Sequence, residues 1–344
     1  MGANAHQKFS IHDRSFASIA KRDITRLAES LGFSESEVGR VNIVVSELIT
    51  NLIKFSKNGG ELLVKPMGEP VYGLEVLSID NGPGMSDPQR SMQDGISSAG
   101  SAGEGLGAIK RQSQEFDMYT YPGLGTVILA RILKNSAKTP DKPATTETGA
   151  VMVSKNGEVA CGDGWTYLTQ GKNQFILALD GLGHGEDAAK AASTAIEHFN
   201  KIQITSPAEI LRYLHDSIRK TRGAVGAVIH LQPQKQQILY CGVGNISGKI
   251  FKLEGGRIGS SVKNIISYNG ILGHNIPNTL NNQQADWGPA QVMVLHSDGL
   301  KSRWDLSKFP DLLRHDPTVV AAVLYKEFSR GTDDTLIIVA KSKP

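Results

Sequence analysis

Residues 134–148, KNSAKTPDKPATTET, are polar, rich in Pro, Ser and Thr, and lack any apolar periodicity that could hold them in a core. The stretch reads as an interdomain linker. It divides a chain of 344 residues into two lengths, 1–133 and 149–344, each within the usual range for a domain. With 40% hydrophobic residues, both lengths can build a core. No window approaches the roughly 18 apolar residues of a membrane span, so no membrane partner is expected. Charge excludes a second class: 37 basic and 34 acidic residues leave a net charge of +3, too small and too scattered for a nucleic-acid footprint. Cys161 and Cys241 have no CxxC spacing, and MGANAHQKFSIHDRSF has no apolar run for a signal peptide. His6 also stands where a myristoylation signal needs Ser or Thr. The expectation is a chain of the cytoplasm with free thiols.

The first length opens on two helices, expected at 15–31 and 35–55. The second carries Val41, Val44, Val45, Leu48, Leu52 and Phe55 along one face, and Ser34 followed by Glu37 is a capping box for it. Short strands follow at 60–66, 72–79 and 125–133, with a helix at 104–115. Strands and helices do not alternate evenly, which predicts an α+β sandwich of a mixed sheet and helices rather than a doubly wound domain. The second length shows strands at 149–155, 175–179, 226–231, 236–243, 248–253, 292–297 and 335–340, and helices at 186–200, 207–221 and 317–328. That pattern predicts a β-sandwich, two sheets face to face, flanked by helices.

Three elements of the first length carry phosphate chemistry. Glu47 and Asn51 lie four apart and project from one helix face, where an amide could organise Mg²⁺ and a carboxylate could polarise a hydroxyl; a solvated helix face would look the same. In SIDNGPGMSD, Asp80 ends an apolar run and can accept from an adenine amino group, while Gly82 and Gly84 let backbone approach a nucleotide. A surface turn is the plainer reading of that segment. In GSAGEGLGAIKR, Gly103, Gly105 and Gly107 precede a helix whose N–H groups can hold phosphates. One such element is weak evidence, whereas three in order, followed by GLGTVILA, are strong.

On DNGPGM, MQDG and the glycine box at 103–107, the first length resembles the GHKL ATPase superfamily and, within it, the small anti-sigma-type and stress-complex switch serine kinases. The resemblance implies a GHKL-type α/β sandwich that binds ATP and Mg²⁺. Asn51 would hold the Mg²⁺, Glu47 would be the base toward a substrate hydroxyl, Asp80 would recognise adenine and Thr126 would support its pocket. Phe55 stands where many of these kinases carry His.

In the second length, acids occur where apolar strands stop: Asp163 after GEVACG, Asp180 after FILAL, Asp298 after VMVLHS, and Asp333 with Asp334 before TLIIVA. Such carboxylates repel one another unless cations neutralise them, and an all-oxygen set favours Mg²⁺ or Mn²⁺ over zinc. The boxes DGLGHGEDAAKAA, GD, HSDGL and GTDD resemble the PPM serine/threonine phosphatases, in their compact bacterial SpoIIE-like branch. By that resemblance Asp180 would bridge two metals and be central to catalysis. The Gly181 carbonyl, Asp163, Asp298 and Asp333 would complete the ligand set, with Asp333 and Asp334 open to exchange. His184 reads equally as a phosphate contact or as a structural hydrogen bond, His296 as a satisfied buried side chain, and Trp165, Trp287 and Trp304 as packing residues. Residues 267–277, with the polar run to Asp286, read as a substrate-facing flap or as an ordinary surface insertion.

Together the two resemblances imply a bifunctional partner-switching regulator. A kinase-like domain and a phosphatase domain would act on Ser or Thr of a small anti-sigma-antagonist or stress-complex protein. Two alternatives stay open: a phosphatase whose first domain is an ATP sensor, and one whose first domain is a non-catalytic partner-binding module. A homodimer is compatible with both.

Overall fold

The computed structural model describes residues 4–56, 59–92, 105–135, 145–255 and 257–343. The chain forms two compact units, one spanning His6–Asp141 and the other Lys142–Pro344 together with Met1–Ala5. The architecture is α+β throughout. Among the described residues no helix is long and apolar enough to cross a membrane.

The first unit runs β1 (Gln7–Ile11), α1 (Arg14–Ser30), α2 (Glu35–Phe55), β2 (Gly60–Met67), β3 (Gly73–Asp80), α3 (Pro88–Ser91), α4 (Gly105–Gln112), β4 (Glu115–Tyr121) and β5 (Gly125–Leu133). Helix α2 starts where the capping box puts it: Ser34 Oγ accepts from Glu37 N–H at 3.4 Å, and Glu37 Oε2 accepts from Ser34 N–H at 2.7 Å. Its stripe of Val41, Val44, Val45, Leu48 and Leu52 packs on Leu62, Val64, Leu74, Val76, Ile128 and Ala130 of the sheet. Phe55, expected in that stripe, is 39% exposed on the last helical position, with its carbonyl against Gly82.

The sheet order is β1-β2-β3-β5-β4, and every pairing is antiparallel, not mixed as expected. Short connections such as Tyr121 to Gly125 can join only antiparallel neighbours. A charge ladder crosses four of these strands, since Lys65, Glu75, Arg131 and Glu115 stand directly opposite one another in register. Glu75 pairs with Lys65 at 3.1 Å, with Arg131 at 2.7 Å and with His6 at 3.2 Å. Burial alone would raise its pKa, but Lys65, Arg131 and His6 hold it well below the usual carboxylate value.

The second unit runs β6 (Thr146–Val153), β7 (Asp163–Gln170), β8 (Asn173–Gly181), α5 (Glu186–Phe199), α6 (Pro207–Ser217), β9 (Ala224–Gln232), β10 (Gln237–Val243), β11 (Ser247–Glu254), β12 (Arg257–Ile265), β13 (Gln283–Asp286), β14 (Gln291–His296), α7 (Pro317–Phe328) and β15 (Thr335–Ser342). Two five-stranded antiparallel sheets, β13-β10-β9-β8-β7 and β12-β11-β14-β15-β6, share a core of Ile176, Ala178, Ile229 and Tyr240 with Met152, Met293, Leu295 and Ile338. Helices α5 and α6 cover the outer face of the first sheet through Ala192, Ala195, Leu211 and Leu214. Strand β6 begins at Thr146, so the end of the stretch read as linker pairs with β15. Leu272 is fully buried and exchanges hydrogen bonds with Ala224, and the polar run ends in β13, so residues 267–286 are anchored to the sheet rather than forming a free flap.

Candidate functional site

In the first unit, α2 and β3 deliver their groups to one region. Glu47 and Asn51 stand one turn apart on the side of α2 that meets the start of α4. A Cβ added to Gly105 would lie 2.8 Å from Glu47 Oε2 and 3.9 Å from Asn51 Oδ1, so the start of α4 approaches both side chains closely. Gly107 is buried two residues later. Gly103 and most of the MQDG segment lie outside the described residues. Asp80 Oδ1 accepts from Gly82 N–H at 2.6 Å and from Thr126 N–H at 3.3 Å. Thr126 thus reaches Asp80 through its backbone, while its hydroxyl lies 3.1 Å from that of Thr120. Gly84 has φ of 69°, and a Cβ there would meet the Tyr121 carbonyl at 2.0 Å. Two backbone donors on one oxygen fix the orientation of the Asp80 carboxylate.

In the second unit the acids gather at one end of both sheets. Asp163 and Asp180 stand opposite each other in the β7–β8 register, Asp298 lies two residues past β14, and Asp333 and Asp334 directly precede β15. Ser297 ties the two sheets together: its Oγ donates to Asp163 Oδ2 at 2.7 Å and accepts from Leu336 N–H at 2.9 Å. The other Asp163 oxygen, Oδ1, is buried without a hydrogen-bond partner. Burial and the neighbouring Asp180 push the Asp163 pKa well up. Burial, then Asp298, Asp333 and Asp334, raise Asp180 to about 7. Burial and Asp333 also raise Asp298, against Arg330 and an Asn245 amide 2.9 Å from its Oδ2.

Asp334 differs from these. Its Oδ1 accepts from Lys155 N–H at 2.7 Å and its Oδ2 from Gly162 N–H at 2.8 Å, so both oxygens are engaged by backbone. Gly299 makes room for this strand start, since a Cβ on it would lie 1.9 Å from the Asp334 carbonyl.

Among the described residues no group of three or more His, Cys, Asp or Glu is placed so that it could hold a metal ion as it stands. The acids nevertheless raise one another's pKa, and a buried carboxylate oxygen lacks a partner. An all-oxygen set with that excess of negative charge fits a hard divalent cation such as Mg²⁺ or Mn²⁺. Neither cysteine competes as a nucleophile: burial raises Cys161 well above its ordinary pKa and Cys241 to about 11.

His184 Nδ1 lies 2.7 Å from Glu158 Oε1, which supplies the structural hydrogen bond of its two readings. His296 is satisfied as expected: it donates from Nδ1 to the Ser297 carbonyl at 2.8 Å and accepts from Trp304 Nε1–H at 3.0 Å. Burial lowers its pKa, in keeping with a neutral ring. Ser297, Asn245 and Arg330 were not singled out from the sequence. For Ser297 the signal was its place inside HSDGL, while the other two lie outside every box.

A histidine kinase-like ATPase domain model matches residues 14–132. Serine/threonine-protein kinase RsbT of Bacillus subtilis (strain 168) is 33% identical over 113 residues, which cover 33% of this chain and 85% of RsbT. Phosphoserine phosphatase RsbX of the same organism is 24% identical over 103 residues, 29% of this chain and 50% of RsbX, so the chain spans only half the length of that relative. Among solved structures, a chain from work on the bacterial stressosome as a modular system adapted to control secondary messenger signalling is 29% identical. It superposes with a TM-score of 0.51 over 57% of this chain and 99% of its own. The chain therefore carries a kinase-like ATPase domain and is similar over part of its length to a phosphoserine phosphatase.

Proposed function

Because the chain belongs, through residues 14–132, to the family of histidine kinase-like ATPase domains, we propose that it is a bifunctional partner-switching regulator with opposed kinase and phosphatase sites. Residues 1–133 would bind ATP·Mg and phosphorylate Ser or Thr on a small protein of the anti-sigma-antagonist or stress-complex type. Residues 149–344 would remove the phosphoryl group from that partner. The observation that carries the first assignment is the approach of Gly105 to Glu47 and Asn51, which sets a helix N-terminus, a carboxylate and an amide around one space. A domain that only sensed nucleotide would not need the carboxylate there.

At this site the chain mainly positions groups. The α4 N–H groups hold phosphate oxygens, Asp80 accepts from the adenine amino group, Asn51 helps hold Mg²⁺, and Glu47 takes the acceptor hydroxyl proton. In the phosphatase-like domain, Asp163, Asp180, the Gly181 carbonyl, Asp298 and Asp333 would hold Mg²⁺ or Mn²⁺, which when bound supplies an activated hydroxide and neutralises phosphoryl charge. Ser297 fixes Asp163 in its rotamer, and Asn245 does the same for Asp298. The double backbone engagement of Asp334 supports Asp333 as the ligand of that pair and Asp334 as its scaffold.

The test is to incubate the full chain carrying Asp180→Asn with labelled ATP, Mg²⁺ and a recombinant small antagonist-type acceptor. One labelled protein is expected, with labelling lost when Glu47→Ala is added and erased by wild-type chain with Mn²⁺. ATP binding without any labelling would instead establish the first domain as a nucleotide sensor or partner-binding module.

A further inference from the structure

Charge of the opposite sign stands beside the acidic end of the second unit. Arg222 lies in the turn before β9, and this turn is bonded to the loop that follows Asp180: Leu182 N–H donates to the Gly223 carbonyl at 3.1 Å. The register of β8 and β9 continues the link, with Asp180 opposite Val225 and Gly181 opposite Ala224. Arg222 Nη1 occupies space that Gly183 leaves free, since a Cβ on that glycine would lie 3.3 Å from it. Gly183 has φ of 85°, so glycine is favoured there for backbone reasons too. The turn itself is pinned. Gly223 packs against His274, whose Nε2–H donates to the Arg222 carbonyl at 2.8 Å, and Leu272 bonds Ala224 on both sides.

The guanidinium is half exposed, with 53% of the side chain accessible, and it pairs with Asp187 at 3.0 Å, itself 65% exposed. An exposed pair of this kind is weak, so it holds the side chain ready without committing it. Resting on the phosphatase reading above, we propose that Arg222 is a substrate-binding residue that holds the phosphoryl oxygens of the phosphomonoester. Arginine suits the task, because its planar fork stays charged and donates to two phosphate oxygens at once. The acids of this end repel a phosphate dianion, and a cation held beside the Gly181–Gly185 loop offsets that repulsion where the ester enters. Gly183 then has a reason beyond its turn, since a side chain there would push the guanidinium away.

The experiment compares full-length wild-type, Arg222→Ala and Arg222→Lys chains with Mn²⁺, using p-nitrophenyl phosphate as substrate and inorganic phosphate as the titrated ligand. For Arg222→Ala, KM and the inhibition constant of phosphate are expected to rise about tenfold or more, since at least one hydrogen bond to a charged group is lost. The kcat should change far less, Mn²⁺ affinity should stay unchanged, and Arg222→Lys should recover part of the phosphate affinity. Phosphate affinity and KM equal to wild type in Arg222→Ala would overturn the assignment. Absence of Mn²⁺-dependent hydrolysis by wild type would overturn the phosphatase reading instead. Calorimetric titration of phosphate would then still decide whether Arg222 binds the anion.

Discussion

Asp180 shows how a single residue can make this protein's stability depend on pH and on cations. Its pKa is raised from 3.8 to about 7 by burial and by Asp298, Asp333 and Asp334, so between those values the folded chain holds a proton that the unfolded chain has released. The folded state then binds more protons, and the stability of the metal-free chain falls as pH rises from about 4 to about 7. Mn²⁺ should reverse the trend, because a bound cation favours the ionised form. Melting temperature measured across that range, with chelator and then with Mn²⁺, checks both signs. Asp180→Asn should flatten the chelated profile, and an unchanged slope would mean that other groups carry it. This carboxylate was legible in the sequence because it ends the apolar run FILAL. Ser297 was not, since its place inside HSDGL marks the box but does not say that its hydroxyl spans two sheets.

Elements were legible wherever one face is apolar and the ends are marked. Helix α2 was expected and found over Glu35–Phe55 because its cap and stripe agree. Strands β12 and β13 were missed because they are edge strands: RIGSSVKNI is exposed along most of its length and QQAD buries only Ala285. Strand β7 was missed for a related reason, as DGWTYLTQ mixes polar and aromatic residues without clean alternation. The Glu75 ladder was hidden as well, since cross-strand register is a tertiary fact. It yields a prediction at this scale. With its pKa held below the ordinary 4.5, Glu75 contributes stability that is complete above that value and is lost as pH falls through the depressed one. Glu75→Gln leaves Lys65 and Arg131 buried without their shared partner and should cost about 3–5 kcal/mol. Urea denaturation at neutral pH measures this loss, and a cost below about 1 kcal/mol would show that the ladder is as weak as a surface pair.

For the molecule as a whole, the residues assigned to the two chemistries belong to different units: Glu47, Asn51, Asp80 and Thr126 to one, and Asp163, Asp180, Asp298 and Asp333 to the other. The two sets share no residue, so a substitution in one site is expected to leave the ligands of the other in place. Additivity then follows for sites that share no partners. Asn51→Ala should abolish Mg²⁺-dependent ATP binding while phosphate release with Mn²⁺ stays within about twofold of wild type. Asp180→Asn should lower that release about a thousandfold or more, the scale of losing metal-assisted chemistry, and leave ATP affinity unchanged. Equilibrium binding of ATP and phosphate release, both measured on each full-length variant, give four results from two proteins. If Asn51→Ala also silenced phosphate release, the two sites would be coupled and the chain would be a phosphatase gated by nucleotide rather than two opposed enzymes.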